Sequence, residues 1–170
     1  MFYSRFMPVL LISTLVISLL AVDVSAQEEE LSLKIPPPSL AQWYKPQNKR
    51  QVWLHTMFKL RRSMQALQED VERNEPATMQ KWGDTFDTNY QKLGEMVPEW
   101  DDELEFEWSA RLKQSAAAGD VAGVDRALGK LRTSCRSCHN EYQLVSSILY
   151  RSPDFASLKI TDSDASVMDY

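Results

Sequence analysis

Between Val121 and Leu149 apolar residues recur at alternating steps of three and four: Val121, Val124, Leu128, Leu131, Cys135, Cys138, Tyr142, Val145 and Leu149. A strand, whose side chains alternate with a period of two, cannot keep that series on one face. An α-helix keeps it as a single seam. A seam this long has to be buried against other helices. Three further stripes supply the partners. Residues 47–73 carry Trp53, Met57, Leu60, Met64, Leu67 and Val71, and Asn74-Glu75-Pro76 interrupts them. Residues 77–97 carry Met79, Trp82, Phe86, Tyr90, Leu93 and Val97 and stop at Pro98. Residues 99–117 carry Trp100, Leu104, Trp108 and Leu112. Asp101, Asp102 and Glu103 suit the positive end of that third helix, and Gly119 suits its C-cap. Short connections make sequential helices antiparallel. Few glycines and little β-branched alternation point away from β structure. The expectation is an all-α fold, an antiparallel four-helix bundle over residues 47–150.

The flanks read differently. Arg5, an apolar run from Met7 to Val22, the small residues Val24-Ser25-Ala26 and an abruptly polar Gln27-Glu28-Glu29-Glu30 form the three parts of a secretory signal. The run is short for a membrane span. Residues 1–26 are therefore expected to be cleaved, leaving a mature chain with no membrane span, exported to the periplasm. Residues 27–46 are an irregular lead-in with Pro36-Pro37-Pro38 favouring extended chain. Residues 151–170 form a polar, acidic tail expected to be frayed. The net charge of −5 argues against nucleic acid and anionic membranes and for neutral or basic partners.

Both cysteines of the chain lie in Cys135-Arg136-Ser137-Cys138-His139. C-x-x-C-H is the attachment signature of c-type haem. Residues three and four apart share a helix face, so two thiols reach the two vinyl groups of one porphyrin while the next imidazole points at the iron. Three other chemistries compete. A thioredoxin-type pair normally follows a strand at a helix start, whereas this motif sits deep in a helical pattern. A structural zinc site needs four ligands, which only His55 in addition to the motif would complete. A disulfide between residues three apart in a helix is strained and leaves the histidine without a role. The expectation is one covalent haem c per chain, held by Cys135 and Cys138, with His139 as the proximal iron ligand.

The opposite axial position has fewer candidates. His55 lies two residues from both Trp53 and Met57, about 200° around the helix from either, and faces away from the stripe. Met57 and Met64 are on the stripe, where each offers either a thioether to iron or packing beside a cofactor. Trp53, Leu60 and Met64 are expected to line the pocket and keep water out.

With the motif in the last of four helices, preceded by an Ala118-Gly119-Asp120 turn and followed by an aromatic residue, Tyr142, three places after the histidine, the chain resembles the class II cytochromes c, of the cytochrome c-prime and cytochrome c-556 type. The resemblance covers roughly residues 47–150. It implies Tyr142 beside the haem, a homodimer through the first two helices, and a haem-facing position on the first helix whose occupant sets the coordination number. That position falls on Met57, which implies a six-coordinate, low-spin His/Met iron. Gln143 departs from the basic residue common in the family after the aromatic. The implied function is a periplasmic mono-haem electron carrier serving redox-partner proteins, not an enzyme. The alternative is a five-coordinate, cytochrome c-prime-like binder of nitric oxide or carbon monoxide, should Met57 stay off the iron.

Overall fold

The computed structural model describes residues 34–151. The expected signal segment 1–26, the first residues of the lead-in and the tail from Ser152 lie outside the described residues. The described chain is mostly helical, with no strand. It forms α1 (Val52–Arg73), α2 (Met79–Met96), α3 (Phe106–Ala117) and α4 (Val121–Glu141), with 3-10 turns joining α1 to α2 and α2 to α3, a tight turn joining α3 to α4, and a π-helical segment, Leu144–Leu149, after α4. The all-α expectation holds. No helix among the described residues is long and apolar enough to cross a membrane.

The stripes account for the packing. Trp53, Leu60 and Leu67 of α1, Met79, Phe86, Tyr90 and Leu93 of α2, Leu112 of α3, and Val124, Leu128 and Leu131 of α4 are all buried. Each large apolar side chain so buried contributes roughly 1.5–3 kcal/mol. Each helix packs along its neighbour in sequence, whereas α1 and α4 meet over a much smaller interface. Arg132 of α4 donates to Gln68 Oε1 of α1 at 2.7 Å, and Tyr150, beyond α4, packs on Phe58 with ring centroids 5.5 Å apart. Later residues of one segment thus meet earlier residues of the other, so α1 and the chain from α4 onward run in opposite directions.

Four boundaries depart from expectation, each for a local reason. α1 starts at Val52 rather than near Gln47, because Asn48 N–H bonds to the Tyr44 carbonyl at 2.7 Å and Gln51 N–H to Asn48 at 3.1 Å, winding the chain into turns. Gln51 itself is left-handed, with φ 50°. The lead-in is not wholly irregular. Pro38–Trp43 forms a 3-10 turn, Leu40 and Tyr44 are fully buried, and Trp43 Nε1 donates to the Met96 carbonyl at 2.8 Å.

The expected third helix from Glu99 is split. Pro98 opens a 3-10 turn, Pro98–Glu103, Leu104 is extended, and α3 begins only at Phe106. Glu105 N–H donates to the Tyr90 hydroxyl at 3.0 Å, outside the helix ladder. Trp100 and Leu104 therefore leave the α3 stripe. Lastly, α4 does not run unbroken to Leu149. It ends at Glu141, Tyr142 is non-helical (φ −106°, ψ 57°), and the wider π-helical turn follows. Ser146 Oγ donates to the His139 carbonyl at 3.0 Å, satisfying one of the acceptors that a helix end leaves open.

The start of α4 matches the expected turn. Gly119 takes φ 67°, which only glycine adopts freely. Asp120 then accepts the Gly123 N–H at 2.9 Å and caps the helix.

Candidate functional site

The small contact between α1 and α4 has a structural cause. A cavity of about 910 Å³ separates them. Its α1 wall is Trp53, Met57, Leu60 and Met64, its α4 wall is Cys135, Cys138 and His139, and Tyr142 and Val145 extend that wall beyond the helix. Tyr90 and Leu93 of α2, with Trp100 and Leu104 of the split third segment, complete it. Every residue that the sequence singled out for the site borders this one space: Cys135, Cys138, His139, Met57, Trp53, Leu60, Met64 and Tyr142.

The helix period explains the arrangement. On α1, positions 53, 57, 60 and 64 fall on one face. Trp53 and Leu60 are buried, while Met57 and Met64 are only half-buried because their side of the stripe borders the cavity. On α4, Cys135 and Cys138 are half-buried, and His139 is exposed where the helix ends. His55 is also exposed and borders a neighbouring surface cleft with Lys49, Arg50 and Lys59 rather than the cavity.

The chemistry of these groups follows from their surroundings. Burial, reinforced by the nearby Glu103 carboxylate, pushes the Cys138 thiol up to about 12. Burial also raises the Cys135 thiol. Both stay protonated near neutrality, which makes them poor thiolate nucleophiles and disfavours a redox dithiol. Desolvation lowers the His139 pKa, so its imidazole is neutral with a lone pair to offer a metal. The zinc alternative fares poorly, since its fourth ligand, His55, borders the other cleft. Among the described residues no three His, Cys, Asp or Glu side chains gather as a metal-holding group. One histidine and a thioether are too few donors for a bare ion but suffice for a metal already held in a macrocycle.

Around the motif the polar contacts are tight. Tyr142 Oη donates to Glu103 Oε1 at 3.1 Å, and Ser134 Oγ donates to the Glu103 carbonyl at 3.3 Å. Lys34 pairs with Glu141 and lies over the Tyr142 ring. Trp100 packs on Trp53 and Tyr142, with centroids 5.4 and 4.7 Å away. Its buried indole N–H has no hydrogen-bond partner in good geometry among the described residues.

Sequence reasoning missed part of the lining. Tyr44 lies in the lead-in, where no periodicity points to it; only the Trp43-Tyr44 aromatic pair signals burial. Trp100 and Leu104 were assigned to a helix stripe that does not form. Arg61, Arg132 and Arg136 also border the cavity, on faces where charged residues ordinarily signify solvent alone.

A scan of family models finds no match to the chain, and searches of curated proteins and of solved structures find none either.

Proposed function

We propose that this chain is an exported mono-haem c-type cytochrome, a four-helix bundle of the class II kind that carries single electrons in the periplasm. The observation that carries the reading is the convergence of Cys135, Cys138, His139 and Met57 on one largely apolar cavity. The residues fit the group. Two thiols one helical turn apart line the wall, a neutral imidazole follows directly, and a methionine stands on the opposing helix. The cavity volume lies within the range of cofactor sites.

A covalent haem, when bound, supplies a one-electron iron couple whose potential responds to its ligands and burial. The Cys135 and Cys138 sulfurs would hold the group against α4 as thioethers. His139, at the α4 terminus whose carbonyl Ser146 caps, would supply its neutral nitrogen to the iron. Met57 offers its thioether sulfur from α1. Trp53 and Leu60, both buried, exclude water from the α1 side. Tyr142 and Trp100 shield the edge near Cys138. The role needs no substrate pocket and no bond-making residue, so the reading is a carrier and not an enzyme.

The test is covalent attachment. Expressed with c-type maturation machinery, the chain should keep haem through acid–acetone extraction and denaturing electrophoresis. The Cys135→Ala, Cys138→Ala double variant should lose it. Complete loss of haem from the wild type under those conditions defeats the proposal.

A further inference from the structure

The net charge of the chain conceals a sharp asymmetry. Between Lys45 and Gln68 there are six basic residues and no acidic one, whereas between Glu95 and Glu107 there are seven acidic residues and no basic one. The structure brings much of the basic set to the mouth of the cavity. Lys49, Arg50 and Lys59 border the surface cleft that shares Leu54 and Phe58 with the cavity. Arg61, Arg132 and Arg136 border the cavity itself. All six are exposed, and none makes an ion pair among the described residues. The acids of the lining, Glu69 and Glu72, start about two helical turns beyond Arg61, at the Gln68 end of the cavity where Arg132 is bonded.

At the centre of this face Phe58 is 47% exposed and Tyr150 46% exposed, packed on each other, with Ile148 likewise exposed nearby in sequence. Large aromatic side chains left open among unpaired cations are the composition of an interface core with a charged rim.

We infer that this face at the cavity mouth docks the carboxylate-rich surface of a partner protein. The inference rests on the electron-carrier reading, which requires a partner at the site's open edge. Charge complementarity selects the partner: six unpaired cations around an aromatic centre steer an acidic surface inward, whatever the net charge of the whole chain.

Poly-L-glutamate serves as the probe, titrated calorimetrically against the full chain at low salt, with phosphatidylglycerol vesicles in parallel and sedimentation velocity on the chain alone. Poly-L-glutamate should bind, and Lys59→Glu with Arg61→Glu should weaken it roughly tenfold or more. The matched reversal on α2, Lys81→Glu with Lys92→Glu, should change it little. On haem-loaded protein, reduction by ferrocyanide should slow as salt rises, and the Lys59/Arg61 reversal should weaken that dependence. Equal weakening by both reversals overturns the inference, as does tighter binding to the vesicles. Self-association relieved by the Lys59/Arg61 reversal also overturns it, assigning the face to a second copy. A colourless protein would defeat the cytochrome reading alone, because the binding measurements do not depend on haem.

Discussion

Tyr142 and Glu103 are joined by a 3.1 Å hydrogen bond from the phenol to the carboxylate. The bond ties the end of α4 to the 3-10 turn that replaces the start of the expected third helix. Ser134 makes a second tie to the same residue from the other side of the motif. The C-x-x-C-H segment is thus anchored on both flanks to one turn. Tyr142→Phe should cost about 1 kcal/mol in urea unfolding, since Glu103 retains access to water. Tyr142→Ala should cost about 3–5 kcal/mol, because the ring is buried against Trp100. Equal costs for the two variants would show that the hydroxyl, not the ring, holds the segment.

The proposed iron ligand on α1 is tested by spectrum. With Met57 on the iron, the ferric protein should be low-spin at neutral pH. Met57→Leu should make it high-spin, open it to carbon monoxide and lower its potential, since thioether ligation favours the ferrous state. Met64→Leu and His55→Ala should leave the spin state unchanged. A high-spin wild type would favour the gas-binding alternative, and a low-spin state lost only in Met64→Leu would shift the ligand by two turns.

Alkaline stability should report on the thiols. In the chain without haem, Cys135 and Cys138 have folded pKa values above the ordinary 9.0, chiefly through burial. A raised folded pKa contributes stability that is intact below the unfolded value and lost as pH climbs through the folded one. Stability should therefore decline from about pH 9 upward. Changing both cysteines to alanine should remove that decline and leave only the later loss, from about pH 10, owed to Tyr44, Tyr90 and Tyr142, whose pKa values burial also raises. Urea midpoints for the two proteins across this range make the comparison. Identical alkaline profiles would contradict it.

The α2–α3 contact depends on a missing side chain. A Cβ on Gly83 would come within 2.7 Å of Ala116 Cβ, which is fixed to the α3 backbone. Gly83→Ala should destabilise by about 1–3 kcal/mol through overpacking, outweighing the gain in helix propensity of about 1 kcal/mol. Adding Ala116→Gly should recover part of the loss, and a double-mutant cycle in urea reads that coupling.

How much of this was legible in the sequence varies by element. Periodicity located α1, α2 and α4 because each buries a face against neighbours along most of its length. It also gathered the site residues, since stripe positions 53, 57, 60 and 64 and seam positions 135 and 138 face the same space. It failed where apolar spacing and hydrogen bonding part company. Trp100, Leu104, Trp108 and Leu112 keep a helical interval, but Pro98 and extended Leu104 put them on two different elements. Spacing cannot register the Tyr90 hydroxyl that takes the Glu105 N–H. Nor did the seam reveal the switch at Tyr142, because Val145 and Leu149 are buried on a π-helical turn just as a continued α-helix would have buried them. The cationic face was invisible for another reason: a net charge is a sum, and the bases of residues 45–68 are cancelled in it by the acids of residues 95–107.

The narrow contact between α1 and α4 also bears on the order of assembly. The junctions α1–α2, α2–α3 and α3–α4 join segments close in sequence and form early at little entropic cost. Closing α1 onto α4 joins the two ends of the domain and is the slow, long-range step. A chain built this way finishes most of its folding with the motif still reachable, so whatever occupies the cavity is able to enter last and serve as the keystone that shuts the ring.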